Sequence, residues 1–267
     1  MIRLCIIGNS HMAAYKLGWD ALVAAGDPAT RAVMPVFFGA PRDGIRQVKE
    51  AAGRIVPLRK DIAEGFERTS GGQREIVLAD YDAVLLLGLG VSVKRILRLY
   101  KTHVWHGLAP DPARVMLPTR FVREFLAERY GSTLMGETAD KVRQGREMPI
   151  LAVAEPFWAS WAREDSGDKP DYGWDAAIRA GDAERLGQMF HETVSAGLSG
   201  RASYVPQDAE TVEHGILTRA AFNKDASRLI SGEGGGTDAA HMNGAFGAAM
   251  WPRIALALRE LRPAVAA

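Results

Sequence analysis

The chain has 267 residues, 47% hydrophobic and 24% charged, with 33 basic against 32 acidic side chains and a formal net charge of +1. That length and composition allow a substantial core without staples, and the balanced charge leaves no footprint for nucleic acid. The single cysteine, Cys5, lies in an apolar run, which excludes an intrachain disulfide or a thiolate metal cluster and reads as a small buried hydrophobe.

Residues 2–7 (IRLCII) form an apolar, β-branched run ending at Gly8, the pattern of a strand buried on both faces. The run is too short for a signal segment, and no stretch approaches the roughly 18 apolar residues of a membrane span. A cytoplasmic protein is the expectation. Met12–Ala25 has helical composition and stops at Gly26-Asp27-Pro28, because glycine suits a left-handed cap and proline cannot continue the helix. A strand is predicted over Ala32–Phe38 and closed by Gly39. A helix is then expected over Arg42–Ala52 and an extended piece over Arg54–Leu58. Residues 61–79 are mixed, with a polar turn at Ser70-Gly71-Gly72.

Ala83–Leu87 (AVLLL) is the clearest central strand, followed by Gly88-Leu89-Gly90. Lys94–Lys101 has helical spacing and reads as a solvated basic face. Further helices are predicted at Arg120–Tyr130, Ala180–Ala196 and Gly244–Leu261, and strands at Pro149–Ala154 and Ala202–Val205. The turn-rich segment Glu164–Trp174 looks like an insertion. Strands alternate with helices from end to end, which predicts one α/β domain over residues 1–267. Its central sheet should be mostly parallel, with about five strands covered on both faces. Such sheets place their sites at the carboxyl ends of the strands.

Three features fall at strand ends. Gly8-Asn9-Ser10-His11 follows the first strand and opens a helix. Ser10 there is either a helix N-cap or an exposed nucleophile whose own N–H helps bind an oxyanion. Asp238-Ala239-Ala240-His241 places a carboxylate and an imidazole three residues apart. They form either a surface pair or an acid–base couple able to take a serine proton. Gly234-Gly235-Gly236 just before it lacks the lysine and hydroxyl residue of a phosphate loop and reads as a loop leading to His241. His103 and His106 lack a third ligand at recognisable spacing, and His11, also weighed, adds none, so neither a metal nor a cofactor is expected. Trp158, Trp161 and Trp174 follow the fourth strand. They either pack a loop over the core or stack on sugar rings.

Together and in this order, Gly8-Asn9-Ser10-His11 and Asp238-Ala239-Ala240-His241-Met242-Asn243 resemble the first and last motif blocks of the SGNH/GDSL hydrolases. The resemblance spans nearly the whole chain. It implies a three-layer α/β/α sandwich with a flavodoxin-like strand order. Ser10 is then the nucleophile, His241 the base and Asp238 its orienting carboxylate. The implied oxyanion hole uses the N–H groups of Ser10 and of Gly39 (or Gly44). It also uses an asparagine side chain after the third strand, where this sequence has Gly90. The implied activity is esterase chemistry on acyl esters, often O-acetyl groups on carbohydrates. An O-acyltransferase with the same triad and a non-catalytic glycan-binding module are the alternatives.

Overall fold

A computed structural model of the chain describes residues 1–40, 43–163, 172–228, 232–233 and 238–261. The glycine run at 234–236, most of the 164–174 insertion and the start of the helix expected at Arg42 lie outside the described residues.

In chain order, the first third holds β1 (Ile2–Gly8), α1 (Met12–Ala24), β2 (Val33–Gly39), β3 (Val48–Ala51), β4 (Arg54–Pro57), α2 (Lys60–Ser70), β5 (Ile76–Val77) and β6 (Ala83–Leu87). The middle holds α3 (Lys94–Tyr100), β7 (His103–Trp105), β8 (Val115–Leu117), α4 (Thr119–Gly131), α5 (Leu134–Gly145) and β9 (Ile150–Val153). The last third holds α6 (Trp174–Arg179), α7 (Ala183–Gly197), β10 (Ser203–Tyr204), β11 (Val212–Glu213), β12 (Leu217–Thr218), β13 (Ser227–Arg228), β14 (Gly232–Glu233) and α8 (Gly244–Glu260).

Five strands form the central sheet in the order β2-β1-β6-β9-β10, and each neighbouring pair is parallel. This is the flavodoxin-like order, in which the chain reverses direction across β1. Alternation along each strand divides the core in two. Ile2, Leu4 and Ile6 of β1, Leu85 and Leu87 of β6, and Leu151 and Val153 of β9 face α1 and α8. Cys5, Ile7, Val84, Leu86, Ile150 and Ala152 face the opposite layer, which includes α2, α3, α4, α5 and α7. The fold is therefore a three-layer α/β/α sandwich.

Three expectations change. The helix expected over Arg42–Ala52 is a short 3₁₀ turn at Gly44–Gln47 followed by β3. That strand pairs antiparallel with β4, and β4 pairs with β5, in a small side sheet. Val48 and Ile55 are buried there, so tertiary burial overrides the helical composition. The mixed stretch after Arg59 contains α2, which ends at the expected turn with Gly71 in the left-handed conformation. The helix expected over Ala180–Ala196 begins only at Ala183, after Gly181 in the left-handed conformation (φ +74°), and the buried Asp182 carboxylate accepts from Tyr100 Oη (2.8 Å) and the Ala109 N–H (2.9 Å).

One helix pair positions the candidate site. Gly247 of α8 lies against α1 so closely that a β-carbon there would fall 2.0 Å from Ala14 O, and one on Gly18 would fall 2.3 Å from Ala248 N. Only glycine permits that approach. Trp251 Nε1 donates to Tyr15 O (2.9 Å) across the same contact. Because α1 begins two residues after Ser10 and α8 three after His241, this contact draws the two ends of the sequence together.

Candidate active site

β1 ends at Gly8, which pairs in register with Leu87 of β6 and Gly39 of β2. The segments Asn9-Ser10-His11 and Gly88-Leu89-Gly90 therefore leave adjacent parallel strands side by side. α1 starts after His11, whose side chain makes no capping bond. Ser10 is not a side-chain cap either. Its Oγ lies 2.7 Å from His241 Nε2.

His241 Nδ1 lies 2.9 Å from Asp238 Oδ2, and the other carboxylate oxygen accepts from the Ala240 N–H (3.1 Å). The carboxylate at Nδ1 holds the ring proton there, which leaves Nε2 bare to accept from the Ser10 hydroxyl. Both side chains are mostly enclosed, His241 at 15% and Asp238 at 6% exposure. The structure thus assembles all three residues singled out in the sequence into one hydrogen-bonded chain.

Two further residues hold the Asp238–His241 turn. Asn223 Nδ2 donates to Asp238 O (2.8 Å) and to His241 O (2.5 Å), while its Oδ1 accepts from Trp161 Nε1 (2.7 Å). Asn243 caps α8 by accepting from the Phe246 N–H and also donates to Ala221 O and Lys224 O. Neither Asn223 nor Trp161 stands at a spacing that would reveal this role in the sequence. Each reaches the turn only through the folded chain.

The oxyanion side departs from expectation at one position. The Gly39 N–H donates to Thr69 Oγ1 (2.9 Å), and that hydroxyl in turn donates to Gly65 O (2.9 Å). Gly39 is thus committed to α2, which corrects its expected place as an anion donor. Gly44, the second candidate, opens the 3₁₀ turn of residues 44–47. Among the described residues, the N–H groups of Ser10 and Gly90 have no hydrogen-bond acceptor.

Gly90 ends three consecutive left-handed residues, Gly88 (φ +76°), Leu89 (φ +40°) and Gly90 (φ +81°). Leu89 holds this disfavoured geometry with its side chain buried at 1% exposure and its carbonyl bonded to the Met135 N–H. Backbone strain of this kind concentrates at functional sites. Asn9 braces the turn from the other side. Its Oδ1 accepts from the His11 N–H (3.2 Å) and lies against Gly88, where a β-carbon would come within 2.9 Å of it.

The aromatic residues after β9 pack on one another rather than standing free. Trp158 packs on Tyr172 and Trp174, both buried. Lys94, expected on a solvated face, places Nζ 5.2 Å from the Trp158 ring centroid and 3.9 Å from Glu155 Oε2. His103, weighed above as a metal ligand, has its Nδ1 2.8 Å from Thr102 Oγ1. No helix among the described residues is long and apolar enough to cross a membrane.

In comparison with known proteins, no family model matches the chain, and neither a curated protein nor a solved structure does.

Proposed function

We propose that this protein is a serine esterase of the SGNH type, acting on acyl esters through a Ser10 acyl-enzyme. The observation that carries the proposal is the continuous chain from Ser10 Oγ to His241 Nε2 (2.7 Å) and from His241 Nδ1 to Asp238 (2.9 Å), sited at the carboxyl ends of a parallel sheet.

In this reading, Ser10 Oγ attacks the ester carbonyl while His241 Nε2 takes its proton. Asp238 stabilises the imidazolium that forms. The N–H groups of Ser10 and Gly90 receive the developing oxyanion, backbone donors standing where the SGNH pattern has an asparagine side chain. Collapse expels the alcohol, which takes the proton from His241. Water then repeats the sequence on the acyl-enzyme, or a sugar hydroxyl does so in a transferase. The substrate class we propose is an O-acetyl ester, with a carbohydrate as the alcohol. Gly90 favours a competing reading, a glycan-binding module of the same fold, because it removes a side-chain donor worth roughly 3 kcal/mol in such sites.

The test is labelling by a serine-directed fluorophosphonate, together with hydrolysis of p-nitrophenyl acetate, in the wild type and Ser10→Ala. Labelling and turnover confined to the wild type support the esterase. An unlabelled wild type, or a labelled Ser10→Ala, refutes it.

A further inference from the structure

His11, the residue after the nucleophile, is used nowhere in the mechanism above. Its ring lies 4.8 Å from the His241 ring, centroid to centroid, at an interplanar angle of 22°. We propose that His11 is a positioning residue, whose neutral ring forms a flat wall that holds the His241 imidazole in the plane joining Asp238 and Ser10. This role rests on the esterase reading for its catalytic consequence, but not for its structural one.

Three observations carry the assignment. First, the ring meets His241 face to face, the arrangement that restricts rotation about the His241 side-chain torsions while leaving both of its nitrogens to Asp238 and Ser10. Second, His11 Nδ1 is enclosed and has no hydrogen-bond partner, so that nitrogen adds no bond of its own to hold the ring. Third, the ring stays uncharged. Burial, then the neighbouring charges of His241 and Lys94, push its pKa down to about 3 against a smaller opposing pull from Asp238. A neutral face tolerates the imidazolium that forms on His241 during proton transfer, whereas a charged one would repel it.

His11 also ties this wall to the nucleophile. The two rings are set by residues at opposite ends of the sequence, one adjacent to Ser10 in the chain and the other bonded to it. Any shift of α1 against α8 would therefore disturb the stack and the Ser10–His241 hydrogen bond together.

The experiment compares His11→Ala with His11→Phe, which keeps a flat neutral ring and removes the unpaired nitrogen. The primary readout is the low-field proton of the His241–Asp238 hydrogen bond in NMR spectra, which does not depend on turnover. We expect a sharp signal in the wild type and in His11→Phe, and a broadened or lost signal in His11→Ala. With p-nitrophenyl acetate, kcat should fall about tenfold in His11→Ala at unchanged KM and recover to within about threefold in His11→Phe. An unchanged signal in His11→Ala, or a His11→Phe variant that behaves like His11→Ala while melting like the wild type, overturns the proposal. A wild type that is inert toward esters removes the esterase reading, while the NMR comparison still decides the role of His11.

Discussion

Gly18 of α1 sits against Gly247 of α8, so close that a β-carbon on Gly18 would lie 2.5 Å from the Gly247 carbonyl carbon. This contact joins the helix that follows Ser10 to the helix that follows His241. Gly247→Ala would drive a methyl group into Ala14 O, which cannot yield without moving the helix backbone. We predict a loss of about 1–3 kcal/mol of stability. A displacement near 1 Å at the triad would add a fall in kcat on the order of 100-fold. Urea unfolding and p-nitrophenyl acetate kinetics on the same variant measure the two effects.

Asp238→Asn keeps the shape of the His241 contact but lets the amide donate to Nδ1, which moves the ring proton to Nε2. The Ser10 hydroxyl then loses its acceptor. We predict a fall in kcat on the order of 10³–10⁴ with little change in KM. A loss of less than tenfold would mean that the Asp238–His241 bond is not used in turnover.

Gly90→Asn places a side-chain donor where the SGNH pattern has one. The left-handed conformation at this position is one that asparagine tolerates better than most residues. A β-carbon there meets only Thr133 Cβ, at 4.0 Å. We predict a gain of about tenfold in kcat for p-nitrophenyl acetate, part of what one such donor contributes elsewhere. A folded Gly90→Asn variant no faster than the wild type would show that the backbone donors are already sufficient.

Asn223→Ala removes both bonds to the carbonyls of Asp238 and His241 and leaves Trp161 Nε1 without that acceptor. We predict a loss of about 1–3 kcal/mol in stability and at least a tenfold fall in kcat. Trp161→Phe, which spares the two carbonyl bonds, should cost activity only about threefold. Equal effects of the two variants would contradict this order.

Acid should destabilise the protein through its enclosed histidines. Burial and the charge of Arg253 lower the His191 pKa to about 4, and that of His11 is lowered to about 3, from an ordinary value of 6.5. Below pH 6.5 the unfolded chain takes up these protons while the folded chain does not, so stability falls with pH until the folded values are reached. Between pH 7 and pH 5 each histidine contributes a loss of about 2 kcal/mol. His191→Gln keeps an acceptor for Tyr204 and removes one of these sites, so its urea midpoint should fall less steeply over that range. An identical slope in the variant would contradict the assignment.

The layers of the sandwich were legible in the sequence because hydrophobic period is local. Residues 2–7 read as a strand buried on both faces and Ala83–Leu87 as the clearest central strand, and the glycines after them, Gly8 and Gly88, mark where those runs end. Ser10, Asp238 and His241 were legible as candidates because motif order and spacing are also local. Tertiary structure decided the rest. Val48–Ala51 became a strand because its partner, Arg54–Pro57, lies beside it in a side sheet. The Gly39 amide was lost to Thr69, thirty residues away in the chain, and Asn223 reached the Asp238–His241 turn by a path no spacing encodes. Hydrogen bonds between distant segments are fixed by packing, so the sequence names Ser10, Asp238 and His241 as candidates, and the crossing of α1 and α8 brings Ser10 Oγ within 2.7 Å of His241 Nε2.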